Sequence, residues 1–344
     1  MALPIPKRFI GYGAFNLCFD RRLGRAPSTG GKNFFEFLRK DPRGWPVNLV
    51  KVICFRKSTA DKLDPTRADP LFASGGSVNP AFLTNLQTLV TTAEGCGFFV
   101  QICVFSFQSV TSDDETPENV PRALDPGQLG GDNCARLKNF FNPDNSPTLQ
   151  KQVEVAAQIA YAVRFQTNII WEIANEARVQ GCKPPTDNVA GNCKLVPWYN
   201  HIWDAIDGQL IPEVSLHTIS TGVPNEGVMF TKQRPYQGCA LEAPYRTSYY
   251  DFHADQWNAA GDYGGGMDAA LNRLKGYDYP AATFTVNDDG ARDLRTNDAV
   301  RRWASAAFQR GLHYMSKQPY PPAETFNYDV LNILRDVNNA NPVR

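Results

Sequence analysis

The chain has 344 residues, long enough for one large α/β domain or two average ones, and its 42% hydrophobic content is ample for a sizeable core. Lys+Arg and Asp+Glu each total 35, so the net charge is zero and the overall balance gives no basic surface for nucleic acid or anionic lipid. No apolar run approaches the length of a membrane span.

Strand-length apolar runs alternate with amphipathic, helix-length segments along the chain. Strands are predicted at 8–15 and 48–55, then a helix with apolar positions Phe82, Leu83, Leu86 and Leu89, then a third strand at 98–105. A helix rich in Ala, Val and Gln at 149–165 leads into strand four at 168–174, and a helix over 198–210 precedes strand five at 214–220. Strand six is expected at 249–254, a helix at 267–274, strand seven at 281–286, a helix at 297–310, strand eight at 312–316 and a closing helix at 328–337. Eight strands joined mostly through helices predict a (β/α)₈ TIM barrel, with 1–344 as a single domain; a doubly wound open sheet usually has fewer strands. Long polar, Pro/Gly-rich loops follow strands three (109–147), four (178–197) and five (222–246), on the face where barrels build their sites.

Cys54 and Cys103 sit in apolar strand-like runs and read as buried thiols. Cys134, Cys182, Cys193 and Cys239 lie in polar segments, and no short-spaced Cys/His cluster suggests a metal, so disulfides are the expectation. Cys182 and Cys193, separated by ten residues, are expected to pair. The first residues, Met1-Ala-Leu-Pro-Ile-Pro-Lys-Arg, lack the basic-then-apolar pattern of a secretory signal. The chain is therefore either a mature secreted or periplasmic protein, toward which the cysteines lean, or a cytoplasmic one.

The informative stretch is Ile169-Ile-Trp-Glu-Ile-Ala-Asn175-Glu176-Ala177, a strand ending in Asn-Glu. A Glu at the lip of a barrel strand is partly desolvated, which raises its pKa toward that of a general acid. Glycosidic cleavage needs such an acid opposite a second carboxylate. An Asn-Glu pair also commonly opens a helix after a buried strand, so the pair alone does not decide the matter. Glu172 has the same pointing parity as Glu176 and should face the barrel interior. A buried carboxylate needs a cation, and Lys51 or Arg56 is available.

This segment resembles strand four of the clan A glycoside hydrolases, the cellulase- and mannanase-like barrels, which read roughly aromatic-Glu-apolar-x-Asn-Glu-Pro. Trp171, Glu172, Ile173, Asn175 and Glu176 match, and Ala177 replaces Pro. The resemblance implies that Glu176 is the acid/base, that Asn175 hydrogen-bonds the sugar hydroxyl beside the reacting carbon, and that a cation on strand two, an Arg in the family, meets Glu172. Strand seven of that clan normally ends in a nucleophilic Glu. Here Phe284-Thr-Val-Asn287-Asp288-Asp289-Gly290 aligns Asp288 with it, although an Asx-rich turn has the same composition. On strand six, Tyr250-Asp-Phe-His253-Ala-Asp255-Gln-Trp257 keeps the His but puts Asp255 where the family has Tyr, making Asp255 a rival second carboxylate. Strand three lacks the acidic or His ending of cellulases, and strand eight lacks the Trp that usually floors the sugar site.

The resulting expectation is a divergent, retaining glycosidase acting on a β-linked oligo- or polysaccharide, with Glu176 as acid/base and Asp288 as nucleophile. Asn175, His253, Asp255, Trp257 and Tyr314 are the candidate substrate-binding residues, with Trp198 and Tyr263 as further aromatics able to stack on sugar. No cofactor and no metal is called for, and oligomeric state is left open. Alternatives are a carbohydrate-binding pseudoenzyme on the same barrel, or an inverting hydrolase using Asp255 or Asp288 as base.

Overall fold

The computed structural model describes residues 3–4, 6–25, 29–57, 66–106, 108–111, 116–175, 195–211, 216–221, 249–253, 284–287, 297–311, 313–317 and 328–343. For the strands within 216–221, 249–253 and 284–287 it describes the backbone alone.

Eight parallel strands close into a barrel in sequence order. They are β1 (Ile10–Gly13), β2 (Leu49–Ile53), β3 (Phe99–Ser106), β4 (Ile169–Asn175), β5 (Leu216–Thr221), β6 (Tyr249–His253), β7 (Phe284–Asn287) and β8 (His313–Lys317). β8 returns to β1 in the register Ile10 with Tyr314 and Gly11 with Met315. All eight predicted strands are present, and the ring closes as expected. Helices α1 (Phe34–Lys40), α2 (Pro80–Gly95), α6 (Ser146–Ala162), α7 (Leu195–Asp207), α8 (Asn297–Gln309) and α9 (Tyr328–Ala340) occupy connections between strands or follow the last one. The helix expected at 267–274 lies outside the described residues. Among the described residues no helix is long and apolar enough to cross a membrane.

The core has two parts, separated by the alternation of side chains along each strand. Outward-facing residues such as Val50, Val52, Val100, Ile102 and Trp171 join the helices in one large apolar shell. Inward-facing residues stack in layers. The lower layer is Phe9, Leu49, Phe99, Ile170 and Met315, and the upper one is Phe15, Ile53 and Cys103. Gly11 makes room for Met315: a Cβ there would lie 3.0 Å from the methionine Cγ. Between the two layers, at the inward positions of β2, β3 and β4, stand Lys51, Gln101 and Glu172.

Helices in two regions were not foreseen. α1 is opened by Asn33, whose side chain accepts from the Glu36 N–H at 2.9 Å while the Glu36 carboxylate accepts from the Asn33 N–H at 3.2 Å. This reciprocal capping satisfies two donors that the first turn would leave unpaired. The stretch after β3 is also no bare loop. It folds into α3 (Gln108–Thr111), α4 (Pro126–Leu129) and α5 (Asn133–Phe140), started by Asp125 and Asp132 caps on the last two. Phe140 and Phe141 at its end pack against Phe55, Phe105 and Trp198, with ring centroids 4.8 to 5.7 Å apart. Such tilted and edge-on aromatic contacts fix the insertion to the barrel wall.

Cys134, at the start of α5, is disulfide-bonded, whereas Cys18, Cys54, Cys96 and Cys103 are free. The expected Cys182–Cys193 bridge lies outside the described residues.

Candidate active site

In a parallel barrel every strand ends on the same rim, so Asn175 of β4, His253 of β6 and Asn287 of β7 share the C-terminal face. The last two are register partners across β6 and β7. Glu176 and Asp288 are the residues that follow β4 and β7 in the sequence. Glu176, Asp255, Trp257, Tyr263 and Asp288 lie outside the described residues, as does the His253 side chain.

The described part of the rim rests on a buried polar network. The Lys51 ammonium lies 2.9 Å from Oε2 and 3.1 Å from Oε1 of Glu172, and neither side chain is exposed. Gln101 donates from Nε2 to Glu172 Oε2 at 2.9 Å. A third contact joins this layer to the rim: Lys51 Nζ donates to Asn175 Oδ1 at 2.9 Å. Of the two cations proposed for Glu172, Lys51 is a partner. Arg56 lies over the Phe15 ring, 5.7 Å from its centroid. Buried charges persist only when paired and hydrogen-bonded, as both are here.

Lys51 touching both Glu172 and Asn175 shows that strict alternation fails along β4. Ile173 and Ala174 both belong to the outer apolar shell, so three steps, not two or four, separate the inward groups. β3 slips in concert: inward Cys103 pairs with Glu172, while outward Phe105 pairs with Ala174. The parity argument from Glu172 to Glu176 does not carry across this slip. The slip itself turns Asn175 inward.

One side chain at this level was not singled out in the sequence. Ser106, the register partner of Asn175, is fully buried, and no described residue pairs with its hydroxyl. Cys103, expected as a buried thiol, is one: it sits beside the network, and burial pushes it well above the ordinary range, with the Glu172 charge adding to the effect. It is an inert filler and not a nucleophile. A strand-end serine carries no sequence signal that sets it apart from packing residues.

Two aromatic candidates are corrected. Tyr314 is 0% exposed and packs edge-on against Phe308 of α8, in the shell between barrel and helices. Its place in β8 faces it away from the barrel interior, because neighbouring Met315 is the residue that points in. Trp198 is likewise 0% exposed; its indole N–H donates to Gln152 Oε1 at 2.8 Å and its ring packs on Phe141. Neither offers a face to a sugar. Among the described residues no group of three or more His, Cys, Asp or Glu could hold a metal.

A closed (β/α)₈ barrel with an Asn at the end of its fourth strand, braced from below by a buried ion pair, is the architecture of the chain. The same fold is found in solved structures of glycoside hydrolase family 5 and its kin. Endo-glycoceramidase II from Rhodococcus sp. matches at 14% identity over 97% of this chain and 80% of that one, with a TM-score of 0.59. A glycoside hydrolase family 5 enzyme from Prevotella bryantii matches at 10% identity over 96% of both chains, with a TM-score of 0.57. A family 5 mannosidase from Rhizomucor miehei matches at 15% identity over 97% of this chain and 92% of that one, with a TM-score of 0.53. No family model matches the sequence, and no curated protein does.

Proposed function

We propose that the protein is a divergent clan A glycoside hydrolase that cleaves a β-linked oligo- or polysaccharide with retention of configuration. The observation that carries this reading is Asn175, turned inward at the end of β4 and held at 2.9 Å by Lys51, immediately before Glu176. An Asn-Glu pair at the head of an ordinary helix would need no buried cation beneath it. The shared fold supports the reading, and one of the similar structures is described as a lactosyl-enzyme intermediate of its own protein.

In this mechanism Glu176 donates its proton to the glycosidic oxygen as the bond to the sugar breaks, and a carboxylate on the opposite face forms a bond to the anomeric carbon. Water, deprotonated by the same Glu176, then releases the sugar. Asp288 is the assigned nucleophile and Asp255 its rival, with His253 and Trp257 in the binding site. Aspartate is one methylene shorter than the Glu usual in such barrels, so retention requires the backbone after β7 to advance until the carboxyl groups stand about 5–5.5 Å apart. A wider gap of about 6.5–9.5 Å would admit a water and invert the product. The disulfide at Cys134 supports an exported protein working in an oxidising compartment.

A panel of aryl-glycosides and polysaccharides finds the substrate. A slow fluorinated glycoside of the same sugar should then label Asp288 covalently. Label on Asp255 moves the nucleophile. A product of inverted configuration without an adduct replaces retention by inversion, and sugar binding without turnover leaves a carbohydrate-binding pseudoenzyme.

A further inference from the structure

The contact between Lys51 and Asn175 does more than brace a strand. A side-chain amide has two nearly isosteric orientations, with oxygen or nitrogen inward, and only its partners decide between them. Here the partner is an ammonium, which donates and never accepts. Glu172, with both oxygens within 3.1 Å of Nζ, favours the protonated lysine. A flipped Asn175 would set its own N–H against that cation. The amide oxygen is thus committed to the interior, and the nitrogen is left as the outward group. Asn175 is only 2% exposed, and among the described residues nothing accepts from its Nδ2.

We infer that Lys51 is a positioning residue that fixes the polarity of the Asn175 carboxamide, so that this side chain presents N–H donors and no acceptor to the bound sugar. The inference rests on the glycosidase reading for its consequence. The site then selects substrates by an acceptor oxygen beside the reacting carbon and penalises those that lack it. The unpaired amide N–H would otherwise stay desolvated beside bound substrate, which is the usual origin of discrimination for a hydroxyl. Lys51 itself never touches substrate.

The test compares kcat/KM on an aryl-glycoside that the wild type cleaves with kcat/KM on its 2-deoxy counterpart. The ratio between enzymes cancels the intrinsic reactivity of the two substrates. Lys51→Met/Glu172→Gln removes both charges together, so that no ion is stranded. In it and in Asn175→Ala the preference for the 2-hydroxy substrate should fall by about tenfold, the scale of one hydrogen bond. Lys51→Arg, still a donor, should retain most of the preference. Asn175→Asp keeps its partner in Lys51 but presents an acceptor in place of the N–H, and should lose the preference even where the double variant fails to fold. A purely structural Lys51 would lower both rates together and leave the ratio unchanged, which overturns the inference. A second readout needs no substrate. With ¹⁵N-labelled asparagine, the Asn175 side-chain amide should be rigid in the wild type and Lys51→Arg, and gain fast motion in Lys51→Met/Glu172→Gln. Unaltered order there also overturns the inference. If the wild type turns over no glycoside, the functional reading fails while the amide measurement still decides the role of Lys51.

Discussion

Lys51 and Glu172 are legible in the sequence as a pair because a charged residue in the middle of an apolar strand has to be explained, and two such residues on neighbouring parts of one barrel explain each other. Their energetic roles follow from burial. Lys51→Met alone strands the Glu172 carboxylate in the barrel and should cost about 3–5 kcal/mol in denaturant unfolding, whereas Lys51→Met/Glu172→Gln should recover most of that loss. Equal instability of the two variants would mean that packing, not charge, is what the pair supplies. Tyr314 shows where reading single residues stops. An aromatic near a strand end looks the same in sequence whether it faces a sugar or a helix, and only the register of β8 against β1 and β7 reveals that it packs on Phe308. Tyr314→Ala should therefore destabilise by about 3–5 kcal/mol while folded enzyme keeps its KM. A raised KM with intact stability would return Tyr314 to the binding site.

At the scale of elements, strands and long helices were foreseen because period-2 and period-3.6 apolar patterns are set by burial on one or both faces. α1 escaped because Phe34, Phe35, Phe37 and Leu38 are all buried, which erases amphipathic spacing; the Asn33-x-x-Glu36 capping signal was the only cue. The insertion after β3 escaped because its short helices are polar and its anchors, Phe140 and Phe141, are two residues in a long Pro/Gly-rich stretch. Near the start of the chain, Asp69 accepts from Arg21 at 2.6 Å and from Asn85 at 2.7 Å, tying the turn after β1 to α2. The Arg21 hydrogen bond, with help from Asn85, holds the Asp69 carboxyl below its usual range. A depressed carboxylate stabilises the fold above its unfolded value and loses that contribution as pH falls through the folded one. The melting temperature should therefore drop below about pH 4, and less steeply in Asp69→Asn. Parallel profiles for the two proteins would show that the link contributes nothing. The cysteines give a sharper test. Burial and the neighbouring Cys18 thiol push Cys54 well above the usual range, and burial does the same to Cys103, so neither should alkylate in native protein. With Cys134 bonded and four others free, a Cys182–Cys193 bridge requires Cys134 to pair with Cys239. Non-reducing peptide mapping should show those two linkages, and a link from Cys134 to Cys182 or Cys193 would refute them.

At the scale of the whole molecule, the described part of the barrel interior sandwiches an ionic layer, Lys51, Gln101 and Glu172, between two apolar ones. The eightfold alternation made the strand order readable, since most strand-to-strand connections repeat the same patterning. Asn175 and the Lys51–Glu172 pair beneath it were readable because strand four carries a dense motif. The orientation of Asn175 was not, because a slip in alternation between Glu172 and Asn175 leaves no mark on composition. The second carboxylate is hardest to read, since several Asp residues follow β6 and β7 and short Asx-rich segments serve turns as well as catalysis. The central claim is that Glu176 is the catalytic acid. It is tested most directly by the steady-state kinetics of Glu176→Gln on a natural oligosaccharide and on an aryl-glycoside with a highly acidic leaving group. The account predicts a loss of about 10²–10⁴-fold on the oligosaccharide, the scale of general acid catalysis, and a far smaller effect on bond cleavage in the activated substrate. Equal losses on both substrates, or full activity on the oligosaccharide, would contradict it.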